Sequence, residues 1–327
     1  MRPPPTLTDH EIVALRGPRN QVDPWQPYAA LLETEPTAAG IVENVATLLL
    51  TNRECPFRCL MCDLWKNTTP ESVPVGAVAS QVRSGLTQLG VDPADPAGSG
   101  VPHIKLYNSG NFFDRQAISL DDRQQIAEIV APFKTVIVEN HPRLCDGQLV
   151  EFQQQLSHQL EIAIGLETIH PQLLPWLNKR MTLEDFDRAA DLLQHNDIQL
   201  RCFVLLKLPF MEEQEAIEWA LKSVEYAFAH GAGCVAIIPL REGNGAIDQL
   251  RQQGSFHPPQ LASLEQALAL SLQLGQGRVW ADLWDLDRLP GCPSCRDQRR
   301  QRLEQMNESQ KALPLFSCPA GCQDRAE

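Results

Sequence analysis

Short apolar runs bounded by turn residues recur along the chain at Val45–Thr51, Ile104–Asn108, Thr135–Glu139, Glu161–Gly165, Leu200–Leu206 and Cys234–Pro239. Their length and their β-branched or leucine-rich content match strands buried on both faces of a parallel sheet. Between them the pattern changes to that of helices, as in LDDRQQIAEIVAPF, TLEDFDRAADLLQHN and EEQEAIEWALKSVEYAFAHG. The last two open on acidic residues suited to a helix N-terminus, and the last stops at Gly231. Thr182 with Asp185 forms a variant of the capping box. Six strands alternating with helices predict a parallel α/β sheet with right-handed crossovers.

This pattern divides the chain into three parts. Residues 1–40, with PPP at 3–5 and DPWQPY at 23–28, predict an irregular N-terminal extension with little chemistry. The βα series fills 41–250, and 251–327 predict a helical, Cys-rich C-terminal element. At 327 residues the chain has room for two average domains, or for one barrel-type domain with an extension.

Charge and cysteine content narrow the function classes. Lys+Arg 28 against Asp+Glu 41 gives a net charge of −13, which excludes a generally cationic protein that coats nucleic acid or anionic lipid. The N-terminus carries no apolar leader core, and no window approaches the ~18 consecutive apolar residues of a spanning helix. The expectation is a soluble, cytoplasmic protein with no membrane partner. Ten cysteines in such a chain read as metal ligands or reactive thiols rather than a disulfide framework. Seven fall into tight groups, and the singles Cys145, Cys202 and Cys234 read as small buried hydrophobes.

A parallel α/β sheet or barrel places its working groups just beyond the C-terminal strand ends. The segments there are NRECPFRCLMC, SGNFFD, ENHP, LET, LPF and LREGNG. In the first, Cys55, Cys59 and Cys62 form C-x3-C-x2-C. Three thiolates alone do not close a tetrahedral zinc site, whereas a 4Fe-4S cluster held by three cysteines leaves one iron open to a small ligand. Zinc with a distant fourth ligand and chance clustering stay open as alternatives. At the other strand ends Glu139, His141 and Lys207, with Arg241 and Glu242, are candidates to bind substrate or move protons. Residues in such places also commonly cap strands or fix loops.

The C-x3-C-x2-C loop after the first strand of a βα series resembles the radical S-adenosylmethionine (radical SAM) superfamily over residues 41 to 250. The resemblance implies a partial (βα)6 TIM-type barrel with a small Cys-rich C-terminal extension. It implies that Cys55, Cys59 and Cys62 hold a 4Fe-4S cluster whose open iron chelates the SAM amino and carboxylate groups. Reduction by an external donor such as a flavodoxin or ferredoxin then cleaves SAM to methionine and a 5′-deoxyadenosyl radical, which takes hydrogen from the substrate. Ser109-Gly110-Asn111-Phe112 stands where many members have Gly-Gly-Glu-Pro, so Ser109, Gly110 and Asn111 are expected near the SAM amino group. Met61 takes the place of a usually aromatic residue lying on the adenine. Glu167 in Gly165-Leu166-Glu167-Thr168 is the expected ribose partner, and Lys179 and Arg180 resemble a cationic segment near the SAM carboxylate. The run SGNFFD, VENHP, IGLET and NKRMTLEDF is similar to the branch containing the archaeosine-forming tRNA enzyme, which makes a modified RNA base the leading substrate class.

The tail holds Cys292-x2-Cys295 and, after 22 residues, Cys318-x3-Cys322. Two paired-thiol knuckles can close a tetrahedral zinc site or hold an auxiliary iron-sulfur cluster, as in several radical SAM subfamilies. Between them Arg296, Arg299, Arg300 and Arg302 form a basic turn, either a solvated face or a source of phosphate contacts to RNA. A rival class of function is a non-catalytic iron-sulfur or zinc protein, a redox-responsive binding module on the same fold.

Overall fold

A computed structural model describes residues 6–314, 316–318 and 320–322. The PPP run at 3–5 lies outside the described residues. Strands are β1 (Ala29–Pro36), β2 (Val42–Leu49), β3 (His103–Tyr107), β4 (Thr135–Glu139), β5 (Gln159–Glu167), β6 (Gln199–Leu206), β7 (Ala232–Pro239) and β8 (Arg278–Ala281). Helices are α1 (Asp9–Ala14), α2 (Ala77–Gln88), α3 (Leu120–Val130), α4 (Gly147–Gln153), α5 (Leu173–Trp176), α6 (Leu183–His195), α7 (Glu213–Ala229), α8 (Ala246–Gln252), α9 (Leu261–Gln273) and α10 (Arg296–Ser309). The strands form one sheet in sequence order, curled into a half-barrel, with β1 antiparallel to β2 and β2 to β8 parallel.

All six expected strands are present as β2 to β7, and the Thr182–Asp185 capping box opens α6. Alternate residues of each strand face the helices. On β2 to β6 this outer set is Leu48, Leu106, Val138, Ile162 and Val204, all buried with side chains of the flanking helices in one apolar core. The inner set is polar where the sheet curls. Thr47, Lys105, Glu161 and Arg201 are buried there without belonging to that core.

Two strands lie where none was expected. β1 falls in the N-terminal extension and β8 in the C-terminal element. In β1 the buried-side positions are Glu33 and Glu35, while Leu32 is exposed, so its alternation runs opposite to that of an ordinary half-buried strand. The acids turn inward because cations meet them. Glu35 pairs with Lys105 of β3 and, at 2.9 Å, with Arg201 of β6; Glu33 lies 3.1 Å from Lys105. Arg201 also pairs with Glu161, and Arg278 of β8 donates to the Pro36 carbonyl at 3.3 Å, tying the two sheet edges together. Burial pushes the Glu35 carboxyl up, but Arg201 and Lys105 outweigh it and bring it down to about 2. No helix among the described residues is long and apolar enough to cross a membrane.

Candidate active site at the C-terminal rim

The Cys55–Cys62 loop leaves β2 and is tied down on several sides. Asn52 and Asn108 clasp the ends of β2 and β3, Asn52 Nδ2 donating to the Asn108 carbonyl and Asn108 Nδ2 to Asn52 Oδ1, both at 2.6 Å. Glu54 gathers Arg16 at 2.6 Å, Arg58 at 3.1 Å and Arg19. Further on, Leu60 N–H donates to Leu177 O (2.8 Å), Asn178 Nδ2 to Arg58 O (2.8 Å) and Asn244 Nδ2 to Leu60 O (2.7 Å). The cysteine backbone is therefore preorganised by the N-terminal segment, the β5–α6 connection and the β7–α8 loop.

Burial raises all three thiols, Cys59 to about 12, and charge adds to it: Cys55 raises Cys59, and both raise Cys62. The three sulfurs do not all lie within 4.8 Å of one another; among the described residues that tight gathering is found at Cys292, Cys295, Cys318 and Cys322 instead. A single ion needs its sulfurs closer than that, whereas thiolates on different irons of a cubane stand roughly 6 Å apart. The rim triplet thus fits a 4Fe-4S cluster better than lone zinc.

Around the thiols stand the residues the sequence singled out. Asn111 Nδ2 donates to Cys55 Sγ at 3.1 Å, while its Oδ1 already accepts from the His141 N–H at 2.8 Å. Lys179 is buried and ion-paired with Glu167; burial lowers its pKa, but Glu167 and Cys59 outweigh that and hold it raised, so it stays cationic beside the thiols. Gly165 makes room for this pair, since a Cβ there would collide with Glu167 Oε1 and Lys179 Nζ. Arg180 is half exposed and bound to Asp9 of α1, and Met61 packs partly buried against the core. Ser109, Glu167, Asn178, Arg180 and Lys207 all take positive φ between 51° and 64°. Each costs on the order of 1 kcal/mol, and their concentration at one rim is a mark of a working site.

The acid–base candidates are each engaged within the protein. The Glu139 carboxylate accepts from Gly110 N–H at 3.2 Å and fixes the Ser109–Asn111 turn; burial raises its pKa to about 7 against those backbone bonds. His141 Nδ1 accepts from Arg143 N–H (3.2 Å), and Nε2 lies 3.0 Å from the Lys179 carbonyl, which requires the proton there. Burial, reinforced by Lys179, lowers the ring to about 3 and keeps it neutral. Lys207 pairs with Glu213 of α7, Arg241 with Asp282, and Glu242 with Arg251. In this geometry Glu139 is engaged with the Gly110 N–H, and His141 with the Arg143 N–H and the Lys179 carbonyl.

Sequence reading missed Phe57, which stacks on His141 with ring centroids 3.8 Å apart and pins the cysteine loop to the β4 end. It also missed Tyr28, whose hydroxyl lies 3.2 Å from Ser109 Oγ. Aromatic residues inside a metal loop were the available signal for the first; nothing in the sequence pointed to the second.

No family model matches the chain. An uncharacterized protein of Methanocaldococcus jannaschii is 23% identical over 260 residues, covering 76% of this chain and 70% of that protein. Archaeosine synthase subunit beta of Thermococcus kodakarensis is 26% identical over 172 residues, 50% of this chain and 53% of the relative, so the chain spans about half of that subunit's length. Among solved structures, methylornithine synthase superposes with a TM-score of 0.52 at 10% identity, covering 80% of this chain and 69% of that chain. Radical SAM enzymes are among the structural neighbours, and the fold is the partial α/β barrel that the C-x3-C-x2-C loop led us to expect. The sequence relatives include archaeosine synthase subunit beta.

One substitution probes the pair at the centre of this rim. Gly165→Ala should displace the ends of the Glu167 and Lys179 side chains and part the pair at little cost in stability, because both ends are flexible. SAM binding to the reconstituted protein should weaken by about tenfold or more, measured by equilibrium dialysis, because each lost charged contact is worth about 1.5 kcal/mol or more. Wild-type affinity would show that the pair does not touch SAM.

Proposed function

We propose that the protein is a radical SAM enzyme in which Cys55, Cys59 and Cys62 hold a 4Fe-4S cluster with one open iron. The observation that carries this reading is the trio of half-buried thiols on an anchored loop at the C-terminal rim, their sulfurs not all gathered within the 4.8 Å that a single ion would need. When bound, the cluster and SAM supply a one-electron cleavage and hydrogen abstraction that no side chain performs. The chain supplies the setting. Asn111 Nδ2 donates to Cys55, Lys179 sets a positive charge beside Cys59, and Glu167 offers a carboxylate at the end of β5. Glu139 and His141 fix the turns that carry these groups.

For the substrate we propose a modified RNA base, by similarity to archaeosine synthase subunit beta. The basic turn gives this reading no phosphate clamp. Arg296 donates to the Leu286 and Leu289 carbonyls, Arg299 and Arg302 pair with Glu265, and Arg300 pairs with Asp287. Recognition would then rest on the base at the rim, and affinity for RNA should fall only weakly with salt. A slope of log affinity against log salt shallower than about −2 is expected, each neutralised phosphate contributing about −0.9 on a duplex. A slope near −6 would place a cationic surface elsewhere. The enzymatic reading itself is tested by anaerobic reconstitution with iron and sulfide, reduction with dithionite and addition of SAM. Release of 5′-deoxyadenosine supports it; a reduced cluster that leaves SAM intact refutes it.

A further inference from the structure

We infer that Cys292, Cys295, Cys318 and Cys322 form a second, independent metal centre that holds one tetrahedral zinc ion and no cluster, and that this ion staples α10 over the open edge of the sheet. The inference does not depend on the chemistry of the rim. All four sulfurs lie within 4.8 Å of one another, with Cys292 Sγ 3.9 Å from Cys318 Sγ and Cys295 Sγ 3.8 Å from Cys322 Sγ. A tetrahedral ion with metal–sulfur bonds of about 2.3 Å sets its sulfurs about 3.8 Å apart. A cubane, which gives each sulfur its own iron, needs roughly 6 Å. The four sulfurs therefore match one ion.

The surroundings are those of a tetrathiolate. Cys295 caps α10, the Ala320 N–H donates to Cys318 Sγ at 3.4 Å, and Gly321 turns the second knuckle at φ 62°. Four thiolates around a dication leave two negative charges. Arg299 answers one of them, its Nε donating to Cys295 Sγ at 3.3 Å while its other end pairs with Glu265 of α9. The ligand set thus has a buried counter-charge tied to the barrel.

The consequence of the staple lies at the other end of α10. Among the described residues β8 is an edge strand, with β7 on one side and no strand on the other. Its free side is met by two amides from the end of α10. Gln310 accepts from Val279 N–H (2.8 Å) and donates to Val279 O (3.0 Å); Asn307 accepts from Ala281 N–H (2.9 Å) and donates to Ala281 O (2.9 Å). These four bonds satisfy backbone groups that would otherwise template pairing with another chain. Metal at the far knuckles holds α10 in the place where it can make them.

The test uses the full chain with Cys55, Cys59 and Cys62 all changed to alanine, so that the rim contributes nothing. Metal analysis should find about one zinc per chain with neither iron nor acid-labile sulfide. A further Cys292→Ser and Cys318→Ser change should remove it. In the wild-type chain, releasing zinc with a mercurial should speed hydrogen exchange at Val279 and Ala281 by about tenfold or more, leaving β3 to β5 protected. Iron with sulfide in the rim-altered chain would mean an auxiliary cluster, and four metal-free or disulfide-bonded cysteines would mean no centre; either overturns the inference. Zinc release that leaves the β8 amides unchanged would overturn the staple. A failure of SAM cleavage would leave all of these readouts intact.

Discussion

Replacing Cys59 by alanine should abolish SAM cleavage, with 5′-deoxyadenosine falling to the level of a protein-free control. On the proposed reading Cys59 is the middle ligand of the trio, and two thiolates do not hold a cubane with a single open corner. The loop should survive, because its anchors at Asn52, Glu54, Leu60 and Asn178 do not involve the thiol. Circular dichroism of the variant should therefore match that of the unreconstituted wild type. Iron content and the broad absorbance near ~400 nm that cysteine-held clusters give should both be lost. Retention of full iron at the rim would show that another side chain serves as ligand.

The second large effect is on stability. Arg201→Ala should cost about 3–5 kcal/mol in denaturant unfolding, as expected when one partner of a buried ion pair is removed and the other is left uncompensated. Arg201 is 3% exposed, Glu161 is 2% exposed, and Arg201 lies over the Trp280 ring at 4.7 Å. Changing Arg201 and Glu161 together to Met and Leu should cost less than the single change, because no orphaned charge remains between them. The effect depends on pH in a defined direction. Glu35 has its folded pKa depressed from 4.5 to about 2, so its contribution is fully present above 4.5 and is lost as pH falls toward 2. Arg201→Ala should shrink that acid limb. A cost below about 1 kcal/mol at neutral pH would mean that water or Arg278 compensates the carboxylates, as at exposed pairs.

The parts of the fold that read clearly are those where local pattern and tertiary role agree. β4 appears over Thr135–Glu139 as expected because both of its faces are covered and a run such as Thr-Val-Ile-Val has no other comfortable place. β1 was hidden for the opposite reason. Glu33 and Glu35 point inward only because Lys105 and Arg201, 72 and 166 residues further along, are waiting for them, and hydrophobic periodicity carries no trace of such partners. β8 is four residues long with an arginine at its start, too short for any period to show.

At the site, the three cysteines announced themselves by spacing, and the strand-end rule led to Asn111, Glu139, His141, Glu167 and Lys207. What those side chains touch was not legible, since the partners are set by the fold: Gly110 for Glu139 and the Lys179 carbonyl for His141, both distant in sequence, and Glu213 across the β6–α7 turn for Lys207. The strained backbone at Ser109, Glu167 and Lys207 also left no sign, because none of them is glycine. The partners of the basic turn were hidden in the same way. Its arginines face Glu265, Asp287 and backbone carbonyls, which only the packing of α10 on α9 reveals.

The proposed feature is an open iron corner above Cys55, Cys59 and Cys62. It is tested most directly by electron paramagnetic resonance of the reduced, reconstituted protein with SAM isotope-labelled at its amino nitrogen. A change of the cluster signal on adding SAM, with hyperfine coupling to the labelled nitrogen, is the predicted result. A signal that SAM leaves unchanged, in a protein holding four irons at the rim, would contradict it.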